Sequence, residues 1–256
     1  MTTALKLTDV ILPGSGYPNI RDFVAPVFPH ASGLVGLYTF GPRPELSLVN
    51  HANDGLPLIV HGTPASNSDG VTVSKLGYLD TQLPQTSEFT VISLCLPLLA
   101  ASYLDGQLLF SNYKPGDATQ GESVAFFGTA SNPSIASVGS FLNITGNAVA
   151  AKPLAMPASI STTRHAAFAA RVSLDGSTKV FVLDNGVLSA GASTAVARLP
   201  PVSRSMLIGP GYVSTSSWAG ALTVKVLAVW HGALNDQQIT DNLNYLATLY
   251  EDLVEA

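Results

Sequence analysis

Along most of the chain, apolar residues come in short runs of Val, Ile, Leu, Phe and Thr, separated by clusters of Gly, Pro, Asn, Asp and Ser. That rhythm is the habit of a sandwich of short strands. The runs predict strands at Leu34 to Phe40, Leu56 to His61, Leu76 to Asp80, Phe89 to Leu98, Gln107 to Asn112 and Ser123 to Phe127. They predict six more at Ile135 to Asn143, His165 to Leu174, Lys179 to Leu183, Val187 to Ala190, Ser205 to Ile208 and Gly220 to Trp230. Between Val180–Leu183 and Val187–Leu188 lies Asp184-Asn185-Gly186, whose Asn and Gly tolerate positive φ, so these strands are expected to form a tight hairpin. In the last run, strict alternation puts Leu222, Val224, Val226, Ala228 and Trp230 on one face. Thr223, Lys225, Leu227 and Val229 fall on the other, with Lys225 marking the wetter side.

The periodicity changes only at the C-terminus, where a helix is expected over 235–254. Asn235 is placed to cap it, Gln238 to complete a capping box, and Asp236 to favour the positive end of the dipole. Ile239, Leu243, Leu246, Tyr250 and Leu253 form an apolar stripe for docking on the sandwich, leaving Asp241, Asn244 and Thr248 in water. Residues 1–32 show neither period. Pro13, Gly14, Gly16, Pro18, Pro26 and Pro29 block regular structure, while Val10, Ile11, Leu12, Phe23, Val24, Val27 and Phe28 are too apolar for a free tail. This segment reads as an extended arm, lying on its own domain or on a neighbour. The expected architecture is an all-β jelly-roll sandwich over 33–256, with an N-terminal arm and one C-terminal helix.

Composition then narrows the function classes. Of the 256 residues 46% are hydrophobic and only 11% charged, against about 25% charged in an ordinary soluble domain. The net charge of −5 gives no basic field for phosphates, so nucleic acid is not an expected partner. So few charges repel weakly, and homo-oligomerisation or incorporation into a larger particle is expected. The longest apolar run, Val91 to Ala101, contains Ser93 and Pro97 and is too short to span a bilayer, so no membrane insertion is expected. Met1 to Val10 show no pattern of a secretion signal.

The segments from Leu34 to Asn244 resemble, in order, the laminin-G-like jelly roll of the concanavalin A-like lectin and glucanase superfamily. The resemblance is carried by Gly36-Leu37-Tyr38-Thr39-Phe40, Asn53-Asp54-Gly55 leading into Leu58–Pro64, Glu88–Leu94 and Arg171–Ser177. It continues through Lys179–Gly186, Ile208-Gly209, Trp218-Ala219-Gly220, Val229-Trp230 and Ala233–Ile239. The arm before Leu34 and the Ala, Ser and Gly-rich stretch from Ala130 to Ala170 lie outside that pattern. With an arm and no secretion signal, the chain is similar to bacteriophage tail and fibre proteins, an analogy of style. The resemblance implies a non-enzymatic, lectin-like recognition protein of a virion, made in a host cytoplasm and contacting cell-surface glycan. The alternative is a purely structural tail, baseplate or capsid-decorating protein that uses the fold for contacts with other virion proteins.

The chemistry visible in the sequence favours binding over catalysis. A retaining glucanase of this superfamily needs a Glu-x-Asp-x-x-Glu strand, and none of Glu45, Glu88, Glu122, Glu251 and Glu255 has Asp two positions later. His30, His51, His61, His165 and His231 show no metal-ligand spacing, and Cys95 lies in an apolar run as a buried, inert thiol. No cofactor is expected. The resemblance leaves room for a loop calcium ion, with Asp54, Asp69, Asp105 and Asp117 as candidate ligands, although Asp is also an ordinary turn residue. For sugar, the richest loop is Ser111 to Asp117: Tyr113 offers a stacking face, while Asn112, Lys114 and Asp117 offer hydrogen-bond partners. Tyr212, Ser216 and Ser217 are placed to contribute from a second loop, and Trp218 and Trp230 read as core.

Overall fold

The structure is a computed structural model describing residues 25–42, 47–96, 106–129, 132–141, 154–155, 164–192 and 195–254. Most of the expected arm, the expected strand end at Pro97–Leu98 and the loop acid Asp105 lie outside these residues. In chain order the strands are β1 (Leu34–Thr39), β2 (Ile59–Gly62), β3 (Ala65–Asn67), β4 (Gly70–Val73), β5 (Gly77–Pro84), β6 (Phe89–Leu96), β7 (Gln107–Ser111) and β8 (Ser123–Thr129). They continue as β9 (Asn132–Phe141), β10 (Leu154–Ala155), β11 (Ala166–Val172), β12 (Thr178–Asp184), β13 (Val187–Ala192), β14 (Ser205–Ile208) and β15 (Leu222–Trp230). Helix α1 (Asp236–Leu249) and the short α2 (Glu251–Val254) close the described chain.

The strands form two antiparallel sheets. One has the order β13-β12-β11-β6-β15-β4-β3, with β1 pairing the C-terminal half of β15 beside β4; the other has the order β10-β9-β8-β7-β14-β5-β2. Between them lies the main core, in which aromatic pairs join sheet to sheet. Phe126 of β8 meets Phe168 of β11 edge-on at 4.7 Å, and Phe89 of β6 meets Phe110 of β7 at 6.0 Å. Such offset contacts follow from the ring quadrupole and add to the area each ring buries.

The first sheet is covered on its outer face as well. Ile92 and Leu94 of β6, Ala167 and Ala169 of β11, Phe181 and Leu183 of β12 and Trp230 of β15 meet Ile239, Leu243, Leu246 and Tyr250 of the helix. This explains why β6 and β11 read as continuous apolar runs: both of their faces are dry. The helix starts as expected, Asn235 Oδ1 accepting from the Gln238 N–H at 2.9 Å while Gln238 Oε1 accepts from the Asn235 N–H at 2.9 Å. It ends earlier than expected. After the cap at Tyr250, the turn of α2 puts Val254 in the core in place of Leu253, which is only half-buried.

The expected faces of β15 need a correction. A register shift between Val224 and Val226 interrupts the alternation, so Leu222 and Val224 share the inner core with Leu227 and Val229, while Val226, Ala228 and Trp230 turn to the helix. One extra residue in a strand exchanges its faces from that point on. Lys225, at the shift, is correspondingly not on a wet face. It is buried, its Nζ donating to the Ser68 carbonyl at 2.9 Å.

The hairpin at Asn185-Gly186 is present, with φ of +49° and +71° and Asp184 paired to Val187. Strands β3 and β4 were not among the expected ones, because their hairpin is built around Asn67-Ser68-Asp69-Gly70, a polar cluster that reads as loop. The described end of the arm docks on its own chain. Phe28 packs edge-on against Trp230 at 5.2 Å, the Val27 N–H donates to the Tyr245 hydroxyl, and the His30 N–H donates to Asn242 Oδ1.

Candidate functional site: the outer face of the second sheet

Among the described residues no helix covers the second sheet, and its outer face carries aromatic and polar side chains. In β5, Leu79 and Leu83 point into the core, so Tyr78 and Asp80 point outward. In β2, His61 is paired with Tyr78 and stacks on its ring, centroids 4.8 Å apart and planes 10° apart. The chain leaving β14 then crosses this face. Gly211 lies so close to Tyr78 that an added Cβ would come within 2.3 Å of the ring, so only glycine allows the loop to pass. The next residue, Tyr212, runs back along β14 until its hydroxyl meets Ser205 Oγ at 3.2 Å. Further along, Val213 and Trp218 close over Leu108 of β7 and Ala125 and Phe127 of β8, with Tyr113 packed against the group.

Arg204, just before β14, ties the two loops of this face together. Its Nε donates to the Asn112 carbonyl at 3.2 Å, Nη2 to the Thr119 carbonyl at 2.9 Å, and Nη1 to Asp117 Oδ2 at 2.9 Å. Its guanidinium also lies 5.8 Å from the centre of the Tyr212 ring. The structure therefore brings the two loops chosen from sequence to one place, through a residue that sequence reasoning had not chosen. The individual side chains differ in availability. Asn112 is buried and its amide is engaged, Nδ2 donating to Gln85 Oε1 at 2.9 Å and Oδ1 accepting from the Glu122 N–H at 2.8 Å. It frames the loop. Asp117 faces both Arg204 and Lys114, the latter at 3.3 Å. Lys114 is exposed, and Tyr113 and Tyr212 are half-buried, each leaving part of its ring to solvent. Burial raises the pKa of the Tyr113 phenol, which holds it as a neutral donor.

Of the other loop residues, Ser216 is exposed and Ser217 Oγ lies 2.6 Å from Thr215 Oγ1. Trp218 and Trp230 are both buried, Trp230 beneath the helix and Trp218 on the outer face of the second sheet. His61 and Tyr78 escaped sequence reasoning because their pairing spans the whole β3–β4 hairpin. The only sequence signal for Arg204 was the rarity of charge itself, with 12 Lys and Arg in the chain.

A second concavity, of about 340 Å³, opens between the sheet edges. Its walls are Phe40, Leu48, Val60, Val71 and Leu79, with Thr63 and Ser66 beside them, a lining with few planar polar groups to orient a sugar. Among the described residues, no group of three or more His, Cys, Asp or Glu converges on a common point. Asp69 uses its carbonyl to accept from His165, and Asp117 is in ion pairs. Two of the described acids are deeply buried, and each is matched by arginine. Glu122 accepts from Arg198 Nε at 2.7 Å and Nη2 at 2.5 Å, and Asp184 accepts from Arg164 at 3.0 Å. Cys95 is fully buried and burial pushes its thiol pKa far up, so it carries no nucleophile.

No protein-family model matches the sequence, and the curated proteins hold no match to it. Solved structures do resemble it. The chain aligns over 88% of its length with Trypanosoma rangeli sialidase in complex with sialic acid, at 15% identity and a TM-score of 0.57, spanning 36% of that chain. It aligns over 86% with the binding domain of botulinum neurotoxin DC in complex with SialylT, at 12% identity and 0.57, spanning 52% of that chain. The shared property is the fold. That fold is a β-sandwich of two antiparallel sheets, consistent with a jelly roll. Domain 4 of AbnA, a GH43 extracellular arabinanase from Geobacillus stearothermophilus, in complex with arabinotriose, shows its extent: 82% of this chain covers 98% of that domain, at 16% identity and 0.53.

Proposed function

We propose that the protein is a lectin-like module that binds glycan on the outer face of its second sheet without covalent chemistry. The observation that carries this reading is the contrast between the two outer faces. One is sealed by α1, whereas the other presents His61, Tyr78, Tyr212 and Tyr113 with rings part-exposed, beside Asp80, Ser205, Arg204 and Lys114. Aromatic faces stack on the C–H surface of a pyranose while flanking polar groups bind its hydroxyls, and a shallow face suits an extended chain better than a small molecule. The glycan-bound sandwiches among the similar structures support it, as does the pairing of both buried acids with arginine, which leaves neither poised as a proton donor. The finer reading, a recognition component of a bacteriophage tail or fibre, is supported by the resemblance in sequence style and the scarcity of charge.

A panel of bacterial surface polysaccharides and oligosaccharides tests the proposal. The expected result is saturable binding that Tyr212→Ala weakens by about three- to tenfold, the worth of one stacking ring, with the melting temperature little changed. Absence of binding to every glycan, or binding indifferent to both Tyr212→Ala and Tyr78→Ala, would overturn it.

A further inference from the structure

Among the described residues four strands end the two sheets, and three of them are short there. β10 has two residues, β3 has three and follows Pro64, and β2 has four and runs into Thr63-Pro64. The free side of β1 is also occupied, since Asn50 and His51 bond to Val35 and Leu37 there. Short length, proline and covering segments are the usual protections of a sheet edge. Among the described residues, β13 has none of them. Its six residues, Val187-Leu188-Ser189-Ala190-Gly191-Ala192, contain neither charge nor proline, and no described strand pairs with its outer side.

The hairpin geometry settles which backbone groups that edge presents. Asp184 and Val187 flank the two-residue turn, so they form a hydrogen-bonded pair, and such pairs recur at every second residue. Val187, Ser189 and Gly191 therefore bond to β12. Leu188, Ala190 and Ala192 direct their N–H and C=O groups away from the sheet. Leu188 and Ala190 share the face of their cross-strand neighbours Leu183 and Phe181 and extend the apolar stripe under the helix beyond its covered part, while Ala192 lies opposite Lys179. Leu188 and Val187 are exposed.

We propose that β13 is a self-association edge, pairing antiparallel with β13 of a second copy about a two-fold axis to continue the first sheet across a dimer. A strand facing its own copy is self-complementary when its outward residues are evenly spaced and uncharged. Centring the pair on Ala190 places Leu188 of one copy opposite Ala192 of the other, and satisfies about six outward backbone groups on each side. Small side chains at the centre remove any steric obstacle. The scarcity of charge over the whole chain removes the repulsion that ordinarily keeps such edges apart.

Light scattering on the full chain, with far-UV circular dichroism and thermal melts, tests this. Ala190→Pro deletes an N–H that the monomer does not use, and Ala190→Lys places a charge against its own copy. Dimeric wild type, with both variants reduced to monomers of similar melting temperature, is the expected outcome. A monomeric wild type, or an oligomer that both variants leave intact, would overturn the proposal. If the variants fail to fold, Ala190→Cys decides, because the native Cys95 is buried and hydrogen-bonded antiparallel partners lie about 5.5 Å apart between Cα atoms, within reach of a disulfide. A dimer-linked product supports the edge, and none under oxidation overturns it.

Discussion

His165 donates from Nε2 to the Asp69 carbonyl at 2.8 Å, while its backbone N–H donates to the Leu253 carbonyl at 3.0 Å. It thereby fastens the β3–β4 turn and the end of the chain to the start of β11. Burial pushes its pKa below the ordinary 6.5, with Lys225 adding to that effect and the Asp69 carbonyl and carboxylate opposing it. The folded protein thus holds a neutral imidazole while the unfolded chain binds a proton more readily. The resulting stability is complete above pH 6.5 and lost as pH falls from there through the lower folded value. His165→Gln, which keeps a donor, is expected to lose less melting temperature than wild type between neutral pH and pH values below 6.5. Parallel declines would exclude this residue as the source. At this scale little of the site was legible. Tyr113, Lys114, Asp117 and Tyr212 stand out as loop residues, but Arg204 meets Asn112, Asp117 and Thr119 across 85 to 92 positions of sequence, a distance over which no local pattern acts.

Among the elements, α1 is the one whose local signals and tertiary role agree most closely. Its capping box is formed as spaced, and Asp236 at its first turn pairs with Lys179 and Arg171, which hold that carboxyl below its usual range. Asn235→Ala removes the cap to the Gln238 N–H and is expected to cost about 1 kcal/mol, read from the urea midpoint at unchanged slope. A loss of only a few tenths would mean that packing alone sets the helix start. The hairpin at Asn185-Gly186 was equally legible, because two adjacent positive φ angles demand that residue pair. β15 was half legible. Its existence follows from the length of its apolar run, but the shift at Lys225 leaves no trace in a sequence whose following residues, Val226 to Trp230, are apolar on both faces. β3 and β4 illustrate the converse, since a polar turn between two short strands looks like any loop until pairing selects it.

Across the whole molecule, Trp230 is where arm, sheet and helix meet. Its ring takes Phe28 edge-on, its Nε1 donates to the His30 carbonyl at 3.0 Å, and it is fully buried beneath α1. Trp230→Ala is expected to destabilise the fold by about 3–5 kcal/mol, because three separate elements cannot collapse together into the space left by one ring. Chemical denaturation measures this, and a cost near 1 kcal/mol would show that the arm and helix dock independently of it. The sequence by itself determined the class of fold, the turn-bounded strands, the helix with its cap and the buried Cys95, since period, turn chemistry and burial of an apolar run are local properties. Only the tertiary structure decided which outer face the helix covers, where β15 changes faces, that Arg204 draws two loops to one surface, and that no described strand pairs with the outer side of β13. These depend on pairings between segments far apart in the chain, and many such pairings satisfy the same local pattern equally well.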